Sequence, residues 1–180
     1  GICQLDFINE LITKANDKGL LDKSGIIPSP RFIMLHTFAH LLINQLSFDC
    51  GYSSSSLKER IYSDTMKEDY GGILIYTSDA DTQGAMGGLV EMGQENLIED
   101  VICKAIARST WCSNDPVCRE LKSQGVSGLN TSACHACSLV AETSCSHNNI
   151  LLNRLLVSGD GRKNGNSDNE PVGFFDKLIN

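Results

Sequence analysis

Five of the chain's eight cysteines fall between positions 112 and 145. They run Cys112-x5-Cys118, then Cys134-His135-Ala136-Cys137, then Cys145 eight residues further on. A Cys-x2-Cys knuckle offers two thiolates from one tight turn, and a tetrahedral zinc needs two more, each sulfur at ~2.3 Å from the metal. Cys112 and Cys118 are the nearest second pair, and Ser113-Asn114-Asp115-Pro116 between them can turn back on itself. Four thiolates leave no position for water, so such a site is structural. Cys145, His135 and His147 compete for the same four places. Cys112, Cys118, Cys134 and Cys137 are the expected ligands, with Cys145 as the first alternate. The plain alternative is a set of buried free thiols, but apolar packing does not explain so dense a cluster. Cys3, Cys50 and Cys103 stand alone and read as core or surface thiols.

A secreted chain could pair all eight cysteines, but that requires an export signal and usually accompanies a smaller core. Gly1-Ile2-Cys3-Gln4-Leu5-Asp6 shows no basic n-region and no cleavable apolar stretch. No apolar run reaches the ~18 residues that span a bilayer. Metal-bound thiolates in a reducing, cytoplasmic setting fit better, and the abrupt start fits a piece of a longer protein. With 180 residues, 41% of them hydrophobic and 21% charged, the chain can bury one core of useful size. The net charge is −7. A domain that grips nucleic acid alone carries a basic excess to neutralise phosphates. Any DNA contact here therefore needs a local patch or a basic partner, and an anionic membrane surface is disfavoured for the same reason.

Leu5, Ile8, Leu11, Ile12 and Ala15 recur at helical spacing, and Gly25, Pro28 and Pro30 mark a loop. Residues 31–48 predict a helix apolar nearly all round, hence central and buried. Ser56-Leu57-Lys58-Glu59 has capping-box form, yet Arg60-Ile61-Tyr62 suits a strand, so that stretch is left open. Residues 72–77 predict a strand without alternation, buried on both faces, followed by a glycine-rich loop over 78–88. Leu97, Ile98, Val101, Ile102, Ala105 and Ile106 form the stripe of another helix. A short helix is expected around 150–156, a polar loop over 158–170 and a last short helix near Phe174.

Other motifs carry less. His36 and His40 share a helix face, as metal-binding histidines do in His-Glu-x-x-His sites, but Thr37 follows His36 and no glutamate stands ready as a base. They read as structural, hydrogen-bonded in a polar seam. Gly84-Ala85-Met86-Gly87-Gly88 could cradle a phosphate, but it lacks the Walker lysine and matches no nucleotide fingerprint, so a tight turn is expected. Asp79 and Asp81 could support metal-assisted hydrolysis, on weak grounds. Trp111 is expected to cover the zinc knuckle.

Several segments occur together in one order: Leu35-His36-Thr37-Phe38-Ala39-His40, Cys50-Gly51-Tyr52, Gly72-Ile73-Leu74-Ile75-Tyr76, Trp111-Cys112-Ser113-Asn114-Asp115-Pro116-Val117-Cys118, Ala133-Cys134-His135-Ala136-Cys137 and Glu142-Thr143-Ser144-Cys145. This set resembles the helicase-associated MrfA/DrmB-type zinc-binding (MZB) domains, and among them those of the bacterial DISARM anti-phage system. The likeness covers roughly residues 31–156. Ala141 and Asn153 depart from the family's usual proline and aspartate. The resemblance implies a four-cysteine zinc site and an accessory role beside a superfamily-2 helicase that handles DNA in phage defence. It brings no catalytic residue.

The expected architecture is a mixed α/β domain: a small sheet packed by helices around a buried central helix, with a four-cysteine zinc module. Residues 1–30 would form an N-terminal helix and linker, 31–157 the zinc-binding domain, and 158–180 a polar loop and short helix. The expected function is a non-catalytic, cytoplasmic accessory domain with structural Zn2+, assembling with a helicase-type partner and meeting DNA mainly through that complex. Two alternatives differ in class. One is a metal-dependent nuclease or hydrolase using Asp79, Asp81 and His36 or His40. The other is an independent nucleic-acid binder using Lys104, Arg108, Arg119, Lys122 and Arg154.

Overall fold

A computed structural model describes residues 2–21, 28–63, 70–77, 85–159 and 173–179. The organising element is α2 (Pro30–Cys50), which follows α1 (Ile2–Asp17). Ser29 caps it, its Oγ accepting from the Phe32 amide at 3.0 Å, and Pro30 sits in the first turn, where its missing N–H costs nothing. Gly51, at φ 70°, ends the helix in the left-handed region that glycine enters without strain. Between these stops α2 is buried on most of its circumference.

Two cores flank α2. On its N-terminal half, Phe32 and Ile33 pack with Ile8, Leu11 and Ala15 of α1 and with Leu129, Ile150 and Leu151. On its C-terminal half, Phe38, Leu41, Leu42 and Leu46 pack with Leu57 and with Val101, Ala105 and Ile106 of a later helix, α4 (Glu95–Ser109). Each of the Leu, Ile, Val and Phe side chains contributes about 1.5–3 kcal/mol when fully buried, so α2 is held from both sides.

The stretch left open by its sequence is a strand. β1 (Leu57–Ser63) pairs antiparallel with β2 (Gly71–Thr77), from Leu57 opposite Thr77 to Ser63 opposite Gly71. Period-2 alternation decides it: Leu57 and Glu59 are buried on the inner face while Arg60 and Tyr62 face out. The expectation that β2 is buried on both faces is corrected. Leu74 is 46% and Tyr76 41% exposed, while Ile73 and Ile75 pack on the core. Among the described residues the sheet has two strands and no layer on its far side, so an apolar run here does not signal double burial.

The expected loop over 78–88 gives way earlier to α3 (Ala85–Met92), and Leu89 N–H donates to the Tyr52 hydroxyl at 3.2 Å. The cysteine module follows α4, with α5 (Val117–Glu120) and a short 3-10 turn (Val126–Gly128) as its regular pieces. The helix expected around 150–156 shortens to α6 (Leu155–Ser158). Upstream of it, Leu151 and Thr131 donate backbone bonds to Leu129 and Leu152, so 150–153 lies beside 129–131. Finally α7 (Asp176–Ile179) brings Phe175 onto Phe38, ring centroids 5.0 Å apart. The loops expected over 78–84 and 160–170, Asp79 and Asp81 among them, lie outside the described residues.

Candidate metal centre

Cys112 enters directly after α4, and Cys118 lies on the first turn of α5. The turn between them closes through Asp115 N–H to Cys112 O at 2.9 Å and Cys118 N–H to Asn114 O at 2.9 Å. The Asp115 carboxylate also accepts the Cys112 amide at 3.0 Å. The second knuckle closes on the Cys134 carbonyl, which accepts from Cys137 at 3.1 Å and Ser138 at 2.9 Å. These two turns bring the sulfurs of Cys112, Cys118, Cys134 and Cys137 within 4.8 Å of one another. Cys112 to Cys134 measures 3.5 Å, Cys118 to Cys137 3.8 Å and Cys134 to Cys137 3.8 Å. Sulfurs bound at ~2.3 Å to a tetrahedral zinc lie about 3.8 Å apart, whereas a disulfide requires ~2.05 Å. The separations suit a metal held between four free thiols.

The surroundings prepare sulfur for negative charge. Asn114 N–H donates to Cys112 at 3.4 Å, the Asn114 side-chain amide to Cys134 at 3.4 Å, and the Ser138 hydroxyl to Cys137 at 3.4 Å. Burial resists ionisation of Cys134, but hydrogen bonds from Asn114, the Ala136 amide and the Cys112 and Cys118 thiols outweigh it and bring its pKa down to about 7. Burial and the neighbouring thiolates push Cys112 up to about 11 and Cys118 upward as well. Four sulfurs so close resist ionising together unless a cation sits among them, and zinc removes that conflict.

One structural residue of the module was misread in the sequence. Arg154, assigned to a basic surface, has a side chain 0% exposed. Its guanidinium donates to both Asp115 oxygens at 2.5 and 2.6 Å and to the Ser109 carbonyl at 2.8 Å. It thus ties α6 to the turn that carries Cys112 and Cys118. The available signal was its place within the apolar run Ile150-Leu151-Leu152-Asn153-Arg154-Leu155-Leu156. Arg119 is also mostly enclosed and donates to the Thr110 carbonyl at 2.6 Å, while Lys104 pairs with Asp100 at 2.5 Å. The five basic residues proposed as one patch therefore do not form one exposed face.

Cys145, the alternate ligand, lies in a different cluster, with His36, His40 and Glu59. Burial resists its ionisation, but hydrogen bonds from His36 and His40 and their charges bring it to about 7. Glu59 was read in the sequence only as part of a possible capping box, since it is 19 residues from His40; a firm strand assignment for 57–63 would have placed it inward beside Leu57. Both histidines are fully buried. His135 is exposed, and Trp111 is 68% exposed rather than folded over the knuckle. With Phe48, Arg108 and His135 it lines an open groove of about 810 Å3 beside Cys112 and Cys137.

Among known proteins, the model of the MrfA Zn-binding domain (MZB) matches residues 38–138, which include all four clustered cysteines. The DISARM protein DrmB of Bacillus paralicheniformis is 49% identical over 126 residues, covering 70% of this chain. The aligned segment makes up 22% of that relative's length. The cofactor is accordingly zinc, and the four-cysteine cluster is suited to hold it. On the family match over more than half of its length, the chain belongs to the MrfA Zn-binding domain family.

Proposed function

We propose that this chain is a non-catalytic accessory domain of a cytoplasmic anti-phage defence complex. In this reading Cys112, Cys118, Cys134 and Cys137 hold one structural zinc, and the folded module presents a surface to a helicase-type partner and assists that complex in engaging DNA. The observation that carries it is the four-thiol cluster, which has tetrahedral spacing and no place left for a reacting water. The relation to a DISARM protein supports the defence setting.

A protein partner accounts for the exposed aromatics. Phe48 is 76% and Trp111 68% exposed on one groove, with the Arg108 guanidinium 5.5 Å from the Phe48 ring centroid. Aromatic and arginine side chains dominate the energetics of protein interfaces. DNA is a poor sole partner for a chain of net charge −7 with Arg154 withdrawn into the interior. Co-purification with the helicase-type subunit, followed by DNA titration with and without it, tests the reading. Tight complex formation and DNA affinity that depends on the partner are expected. Sub-micromolar DNA binding by the domain alone at physiological salt would favour the independent binder. Metal-dependent strand scission abolished by Asp79→Ala or Asp81→Ala would favour the nuclease.

A further inference from the structure

The polar seam of α2 is more than two hydrogen-bonded histidines. His36 and His40, one turn apart, aim their Nε2 atoms at one carboxylate oxygen: Glu59 Oε1 lies 3.1 Å from His36 and 3.3 Å from His40. Cys145 Sγ closes the group at 3.2 Å from His36 Nε2. All four residues are buried, and one ligand atom from each lies within 4.8 Å of the others. Atoms held by a tetrahedral metal at ~2.0–2.3 Å lie about 3.3–3.6 Å apart, close to the separations found here.

The hydrogen bonds behind these atoms fix which lone pairs face inward. His40 Nδ1 lies 2.9 Å from the Ser138 carbonyl, which can only accept, so Nδ1 carries the proton and a neutral His40 turns a bare Nε2 toward Glu59. Two electron-rich atoms at that distance need a cation or a shared proton between them. His36 Nδ1 has no partner among the described residues, so the only engaged edge of that ring is Nε2. Glu59 Oε2 is likewise buried without a partner. Cys145 Sγ accepts backbone N–H groups from His147 at 3.3 Å and Asn149 at 3.2 Å, as a thiolate does. Two neutral imidazoles, one carboxylate and one thiolate sum to −2, which a divalent ion cancels. Without it, charge balance requires both imidazoles to be protonated, which sets four charged groups in the core, where each is costly to bury.

We propose that His36, His40, Glu59 and Cys145 form a second, wholly buried structural site for a divalent transition metal. Its borderline-soft donor set selects zinc. The ion joins α2, β1 and the turn carrying Cys145, segments up to 109 positions apart. The same residues could suggest a Cys-His-Glu nucleophile, but their enclosure leaves no path for a substrate. Ser138 links the two centres, its carbonyl holding His40 and its hydroxyl donating to Cys137.

Elemental analysis of the purified wild-type protein is the first test, with two zincs per chain expected. X-ray absorption at the zinc edge needs no variant. Two sites predict five sulfur and three nitrogen or oxygen neighbours shared over two ions, whereas the four-cysteine site alone gives only sulfur. In the variants Cys145→Ser and His40→Gln the count should fall from two to one, and cobalt substituted into the remaining site should keep the intense charge-transfer bands of four thiolates. One zinc per chain with an all-sulfur shell in the wild type would overturn the proposal and leave a proton-held His–Glu–Cys network in its place. So would two zincs retained by both variants.

Discussion

Replacing Arg154 by methionine, which keeps the length of the side chain but removes its charge, should destabilise the protein by about 3 kcal/mol. Breaking a buried ion pair by removing one partner costs about 3–5 kcal/mol, because the other charge is left uncompensated. The lower end applies here. Asp115 is 13% exposed, still accepts the Cys112 amide at 3.0 Å, and has Arg119 at 3.9 Å. The Ser109 carbonyl also retains the Ser158 hydroxyl at 3.2 Å. For a domain of this size, 3 kcal/mol lowers Tm by roughly 6–12 °C. Asp115→Asn should cost more, nearer 5 kcal/mol, because it strands a guanidinium that is 0% exposed. In the double variant neither charge is left alone, so the total should fall short of the sum by about 1–3 kcal/mol. Urea unfolding of the four zinc-saturated proteins gives the cycle. A loss below 1 kcal/mol in Arg154→Met, or simple additivity, would show that the pair does not hold the module and that its role was misjudged.

The remaining expectations are simpler. Cys134→Ser or Cys137→Ser should release zinc and unfold the module, since metal binding at such sites contributes ~10–16 kcal/mol, as much as a domain's whole stability; elemental analysis with circular dichroism reads both. Trp111→Ala, at a residue 68% exposed, should leave Tm and zinc content unchanged while weakening partner binding at least tenfold by calorimetry. DNA affinity of the domain alone should be weak with a shallow log–log salt slope. Adding the helicase-type partner should steepen it, since the slope is about −0.9 per phosphate neutralised.

The four-cysteine centre was legible in sequence because knuckle ligands are local: two tight turns and their spacing bring the four sulfurs together. The central helix was equally legible, since an apolar surface all round leaves α2 no stable place but the interior. Only the tertiary structure decided the rest, because those features join residues far apart in the chain. Glu59 reaches the histidines through β1, whose strand character depends on pairing with β2. Cys145, counted by proximity with the other cysteines, is drawn by the turn over 141–150 toward α2 instead. Arg154 looked like a surface cation because arginine usually is one, and the Asp115 that buries it lies 39 positions away. The apolar run of β2 suggested a sheet covered on both sides, but no described element packs over its outer face, and Leu74 and Tyr76 stand in solvent. Local periodicity and ligand spacing are written within a few residues; which charge meets which, and which face is covered, is settled only when distant segments pack.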